Sequence, residues 1–216
     1  MYTVSMFVFS HGFGVKKDDR GLFTDLAKAL GEEQCLLFDY NQVNEEKNEI
    51  TVATLDNQAK KLTKILDDID EPVNLICHSQ GCVVAALANP RGLQSILFLA
   101  PPGTTKSEDF VKKFKGKIDL AGTSTLQRKD GSKTHVPADY WKSLDALPEV
   151  EDMYVELASG TFLTVINAGE DEILDNNDFP KLQHKAEIFT MKGADHSFRG
   201  ASRQKLFKIF SQLRQQ

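Results

Sequence analysis

The stretch Pro72-Val73-Asn74-Leu75-Ile76-Cys77-His78-Ser79-Gln80-Gly81-Cys82-Val83-Val84-Ala85-Ala86-Leu87-Ala88 decides how the chain folds. Its first part, Val73 to Cys77, is a short apolar run of strand length. Its last part, Val83 to Ala88, is apolar all round, as expected of a helix packed inside a protein. Between them stands His78-Ser79-Gln80-Gly81. Serine at a helix start caps free backbone N–H groups, and that role alone would account for Ser79. Strand, serine and buried helix in succession are also the context of a nucleophile elbow, where a sharp turn presents the serine hydroxyl at a sheet edge. The rest of the chain distinguishes the two.

Strand-like runs recur at Val4 to Phe9, Cys35 to Phe38, Val73 to Cys77, Ser95 to Ala100, Phe162 to Ile166 and Ala186 to Met191. Helical spacing lies between them: Phe23, Leu26, Ala27 and Leu30 in the first crossover, Leu55, Ala59, Leu62 and Leu66 in the next, and Leu206, Phe210 and Leu213 at the end. Parallel neighbours need a crossover, normally a helix, so the alternation predicts an α/β protein with a mostly parallel six-stranded sheet and helices on both faces. No repeat or Pro/Gly/Ser-rich linker divides the 216 residues, which suit one domain. Residues 101–159 interrupt the alternation and read as a lid-like insertion over one end of the sheet. It contains helical patterns at Ser107 to Phe114 and Ala138 to Leu147, and a hairpin, Thr123 to Arg128 and Lys133 to Val136, turning at Asp130-Gly131.

With 41% hydrophobic and 26% charged residues the composition is that of a water-soluble folded domain. A net charge of -5 gives no reason to expect a nucleic-acid partner. The basic cluster Lys112-Lys113-Phe114-Lys115-Gly116-Lys117 reads as the solvated face of a helix whose other face carries Phe110 and Phe114. Cys35, Cys77 and Cys82 form neither a disulfide framework nor a metal-ligand pattern. The first residues run straight into a core strand with no basic leader or cleavage-site pattern, and no apolar run nears the ~20 residues of a membrane span. The expected location is the cytoplasm.

Ligands of open α/β sheets bind at the carboxyl ends of the strands. Four polar clusters stand there: Ser10-His11-Gly12-Phe13-Gly14, His78-Ser79-Gln80-Gly81, Asn167-Ala168-Gly169-Glu170-Asp171-Glu172, and Gly193-Ala194-Asp195-His196-Ser197-Phe198. A serine hydroxyl needs a base within reach and a carboxylate to hold that base in one tautomer. His196 can be the base, and Asp171, Glu170 or Glu172 the carboxylate. The N–H groups of Gln80 and Phe13 are the candidate oxyanion donors. A dinucleotide fingerprint starting at Gly12 would need glycine where Lys17 stands. His11 and His78 read as packing or supporting residues, His135 and His184 as surface loop residues.

Across nearly its whole length the chain resembles the α/β-hydrolase family, in a compact form without an N-terminal strand pair. The resemblance implies a catalytic triad of Ser79, Asp171 and His196 in that family's chain order, with the acid two residues after a glycine. One departure stands out, for Cys77 occupies the first glycine position of G-x-S-x-G. The Ser-Gln pair, the His-Gly-Phe turn and the insertion look most like small carboxylesterases of the feruloyl or cinnamoyl esterase kind. A small-molecule carboxylic ester cleaved through an acyl-enzyme on Ser79 is then expected, with no cofactor and no metal. Tyr140 and Trp141 are the expected substrate contacts in the insertion. The same triad would serve a thioesterase, a lipase-like enzyme or a carbon–carbon bond hydrolase, and the fold would also serve a non-catalytic ligand-binding protein.

Overall fold

The structure, a computed structural model, describes residues 5–114, 118–128, 130–174 and 178–213. Met1 to Val4, Lys115 to Lys117 and Lys129 lie outside the described residues, as do the side chains of Phe114 and Leu213.

The chain runs β1 (Met6–Ser10), α1 (Leu22–Leu30), β2 (Cys35–Leu37), β3 (Gln42–Asn44), β4 (Glu49–Thr51), α2 (Leu55–Asp67), β5 (Val73–His78), α3 (Gln80–Ala88), β6 (Ser95–Leu99), α4 (Ser107–Phe114), β7 (Ser124–Gln127), β8 (Lys133–Val136), α5 (Ala138–Asp145), α6 (Val150–Ala158), β9 (Leu163–Ala168), β10 (Glu187–Met191) and α7 (Ala201–Leu213). The main sheet has six strands, all parallel, in the order β10-β9-β6-β5-β1-β2. Side chains alternate between its faces with period two. Val8, Leu75, Cys77, Ile96, Phe98 and Val165 face a core with α2, α3, α5 and α6, whereas Phe7, Phe9, Ile76, Leu97, Leu99 and Ile166 face a second core with α1 and α7. The apolar spacing of α1 puts Phe23, Leu26, Ala27 and Leu30 into that second core.

From β1 the chain first goes outward to β2 and later returns to place β5 on β1's other side. The loops after β1 and β5 therefore leave the sheet at the point where strand order reverses, and a crevice opens there.

The Asp130-Gly131 hairpin forms, with Gly131 at φ 84, but it does not stand alone. Its strand β8 pairs in parallel with β4, giving a second, four-stranded sheet β3-β4-β8-β7 that includes residues 42–51, for which no strands were expected. His135, expected in a surface loop, lies on β8 between Thr125 and Glu49. Thr134 Oγ1 also donates to Gly14 O, and Val52 N–H to His135 O. These bonds fasten the hairpin to the body of the protein.

Candidate active site

Ser79 joins β5 to α3 at φ 51 and ψ -123, a strained conformation for a residue with a side chain. Sterics explain the glycine two residues on. A Cβ on Gly81 would lie 2.0 Å from Ser10 O, so only glycine lets α3 start this close to β1. At the other side of the turn Cys77 is fully buried in the apolar core, and burial pushes its thiol, like that of Cys82, far up. Both thiols are inert packing groups.

The loops after β9 and β10 bring two further groups to Ser79. Ser79 Oγ lies 3.0 Å from His196 Nε2, and His196 Nδ1 lies 2.8 Å from Asp171 Oδ2. The other oxygen of Asp171 accepts from the N–H groups of Ile173 and Leu174, both at 2.8 Å. A carboxylate so held accepts a hydrogen bond from Nδ1–H, which leaves Nε2 to accept from the serine. Burial opposes the charge on Asp171, but the hydrogen bond and charge of His196 and the two N–H groups prevail and hold its carboxyl below the usual range. For His196, burial and repulsion from His78 outweigh Asp171 and hold the imidazole below its ordinary 6.5. Of the competing acids, Glu172 accepts from the His196 backbone N–H at 3.0 Å, and Glu170 is exposed.

Two more buried histidines flank the site in opposite states. Both nitrogens of His78 face acceptors, Asp19 Oδ2 at 2.7 Å and His196 O at 2.9 Å. That pattern fits an imidazolium. Burial alone would lower its pKa, but Asp19 raises it above 6.5, while His78 in turn overcomes burial to hold Asp19 below the ordinary carboxyl value. In His11, Nδ1 faces Gly12 O and Nε2 accepts from Tyr40 N–H, so the ring is neutral, as its burial favours. Asp19 Oδ2 also accepts from Gly12 N–H at 2.9 Å. One buried ion pair thus joins the Gly12–Phe13 turn, the serine strand and the His196 loop. The charged run Lys17-Asp18-Asp19-Arg20 gave no sign of it, for it has the pattern of a solvated turn.

The expected oxyanion donors sit beside the serine. Neither the Phe13 nor the Gln80 N–H finds an acceptor among the described residues, and a Cβ on Gly12 would be only 3.4 Å from that of Ser79. Tyr140 lines the cleft, though it is buried and donates its hydroxyl to Gln80 Oε1 at 2.5 Å. Gln80 Nε2 donates onward to Gln58, and Gln58 to Ala53 O, which locks both amides. Trp141 departs from expectation: it is 1% exposed and does not line the cleft. Its ring packs instead against Phe13, Phe110 and Tyr140, because the following position on α5 turns away from the opening. The cleft itself, about 570 Å³, is walled by Phe13, Phe110, Tyr140 and Leu144 above Ser79.

Sheet order and the strained turn at Ser79 are those of the α/β-hydrolase fold. A family model described as serine hydrolase matches residues 36–142, a span that includes Ser79 and ends before Asp171 and His196. Among solved structures, Est1E from Butyrivibrio proteoclasticus is similar with a TM-score of 0.68 at 16% identity, covering 99% of this chain and 88% of that one. The α/β hydrolase GrgF from Penicillium sp. sh18 gives 0.69 at 15%, with coverages of 99% and 91%. A monoacylglycerol lipase from Paleococcus ferrophilus gives 0.65 at 14%, with 97% and 94%. At such identities the likeness establishes the fold. No curated protein matches the sequence. Among the described residues no helix is long and apolar enough to cross a membrane, and no cluster of ligating side chains could hold a metal ion.

Proposed function

We propose that the protein is a serine esterase that cleaves a small carboxylic ester through an acyl-enzyme on Ser79. The observation that carries this reading is the hydrogen-bond chain from Ser79 Oγ through His196 to Asp171, on a strained elbow at the floor of a cleft.

Ser79 Oγ attacks the ester carbonyl as His196 Nε2 takes its proton. The neutral resting state of His196, favoured by its lowered pKa, suits it to that step. Asp171 holds the ring and stabilises the imidazolium that forms. The developing oxyanion accepts from Gln80 N–H, at the start of α3, and from Phe13 N–H; each donor of this kind is worth about 10²–10³ in rate. His196 then protonates the departing alcohol, and activates the water that frees Ser79.

Cleft size and aromatic walls support an acyl group of moderate length, aryl-acrylates included. One similar structure is described as Est1E with ferulic acid bound, which gives the feruloyl esterase reading a concrete test substrate. Three free thiols fit a reducing compartment such as the cytoplasm. The test is a panel of p-nitrophenyl esters graded by acyl length, with a feruloyl ester added, on the protein and on Ser79→Ala. Turnover by the protein and none by Ser79→Ala is expected; substantial turnover by the variant would refute the reading.

A further inference from the structure

Ester cleavage does not call for the charge that this cleft carries. The chain has a net charge of -5, yet Arg20, Lys106, Lys112, Lys113 and Arg128 all line the opening. Asp19 and Asp109 are the acidic residues in that lining, and both are engaged: Asp19 by His78 and Gly12 N–H, Asp109 by Lys112 at 3.5 Å. Two of the cations are also occupied, Lys112 by Asp109 and Lys113 by the carbonyl of Ile173.

Arg128 is the most constrained of the five. Its Nε donates to Thr134 Oγ1 at 3.0 Å, and its guanidinium carbon lies 5.7 Å from the centre of the Phe13 ring. Nη2 is buried against Gly14 and has no hydrogen-bond partner. Among the described residues no carboxylate comes within ion-pair distance: Asp130, two residues on, is turned to the N–H and hydroxyl of Ser132. Burial, with Arg20 nearby, pushes the guanidinium down to about 10. A desolvated cation without a counter-ion is costly, and a planar guanidinium backed by an aromatic face is suited to gripping carboxylate or phosphate oxygens. The hairpin that carries Arg128 is fastened through Thr134 to Gly14 O, so the cation is held in place.

We propose that Arg128 selects the substrate, and that the cleft takes esters bearing an anionic group, a carboxylate or a phosphate, away from the bond to be cleaved. This rests on the esterase reading above. Phe13 carries Arg128 on its ring and follows Gly12, which lies against Ser79, so a short chain spans the distance from charge to scissile carbonyl. Arg20 and Lys106 at the rim would add attraction on approach.

The test compares p-nitrophenyl hemiglutarate with p-nitrophenyl valerate, similar in length and different in charge. The expected ratio of kcat/KM is about tenfold or more in favour of the anion, the range of a hydrogen-bonded charge contact. Arg128→Gln should bring the ratio near one, Arg128→Lys should leave part of it, and about 0.5 M NaCl should reduce it by screening. Competition needs no variant: glutarate and inorganic phosphate should each inhibit valerate hydrolysis, the stronger of them identifying the anion. A wild-type ratio at or below one, a ratio unchanged in Arg128→Gln, or inhibition by neither anion would overturn the proposal. Valerate turnover without anion preference would sink this inference alone, whereas turnover of neither ester, with no labelling by a fluorophosphonate, would remove the esterase reading and this proposal with it.

Discussion

Asp19→Ala probes the buried pair that ties the Gly12–Phe13 turn to the serine strand and the His196 loop. The substitution removes the acceptor of two buried donors, His78 Nδ1 at 2.7 Å and Gly12 N–H at 2.9 Å. Removing one partner of a buried pair costs about 3–5 kcal/mol, and in a chain of this length that lowers the melting temperature by about 6–20 °C. The sign of the pH dependence follows from the two shifts. His78 is raised, so its contribution is complete below 6.5 and is lost as pH rises through its folded value; Asp19 is lowered, so its contribution is complete above 3.8 and is lost as pH falls through its folded value. The gap between the protein and Asp19→Ala is therefore widest between those values, at pH 5.5 for example, and narrows at higher pH. Thermal melts across pH measure it. Asp19→Asn, which keeps an acceptor oxygen, should lose much less. A drop smaller than about 2 °C at pH 5.5, or a gap that widens toward pH 9, would show that the Asp19–His78 pair does not stabilise the fold.

Asp171→Asn should lower kcat/KM by about 10³–10⁴, since the amide favours the wrong tautomer of His196, while Glu170→Gln should leave it nearly unchanged; steady-state kinetics on a p-nitrophenyl ester compare them. The acid limb of kcat/KM should have its midpoint below 6.5, because His196 must be neutral and its pKa is lowered, and His78→Gln should move that midpoint upward by removing a neighbouring positive charge. Gly81→Ala should abolish turnover and destabilise the fold, as its Cβ would lie 2.0 Å from Ser10 O, a backbone atom that cannot swing aside; activity together with a melting curve reports it.

Much of the architecture was legible because it rests on local periodicity. The spacing of Phe23, Leu26, Ala27 and Leu30 can only be buried by a helix on the sheet, and the run Val73 to Cys77 followed by an all-apolar helix can only lie inside. The loops at strand ends were legible too, since that position is set by the fold class. Strands β3 and β4 were not. Gln42-Val43-Asn44 and Glu49-Ile50-Thr51 are short and mostly polar; β4 is ordered by pairing with β8, some 84 residues on, and β3 by pairing with β4. Asp19 was missed for the same reason, as its partner His78 is 59 residues away. In α5 both Tyr140 and Trp141 were expected at the cleft, and only Tyr140 lines it, since two adjacent aromatics on a helix do not tell which position faces the opening.

Peptide mapping by mass spectrometry after treatment with a fluorophosphonate asks whether Ser79 is the nucleophile. One adduct is expected, on the peptide containing Ser79, formed much more slowly in His196→Ala and absent from Ser79→Ala. An unlabelled protein that is folded, or an adduct on any other residue that persists in Ser79→Ala, would contradict it.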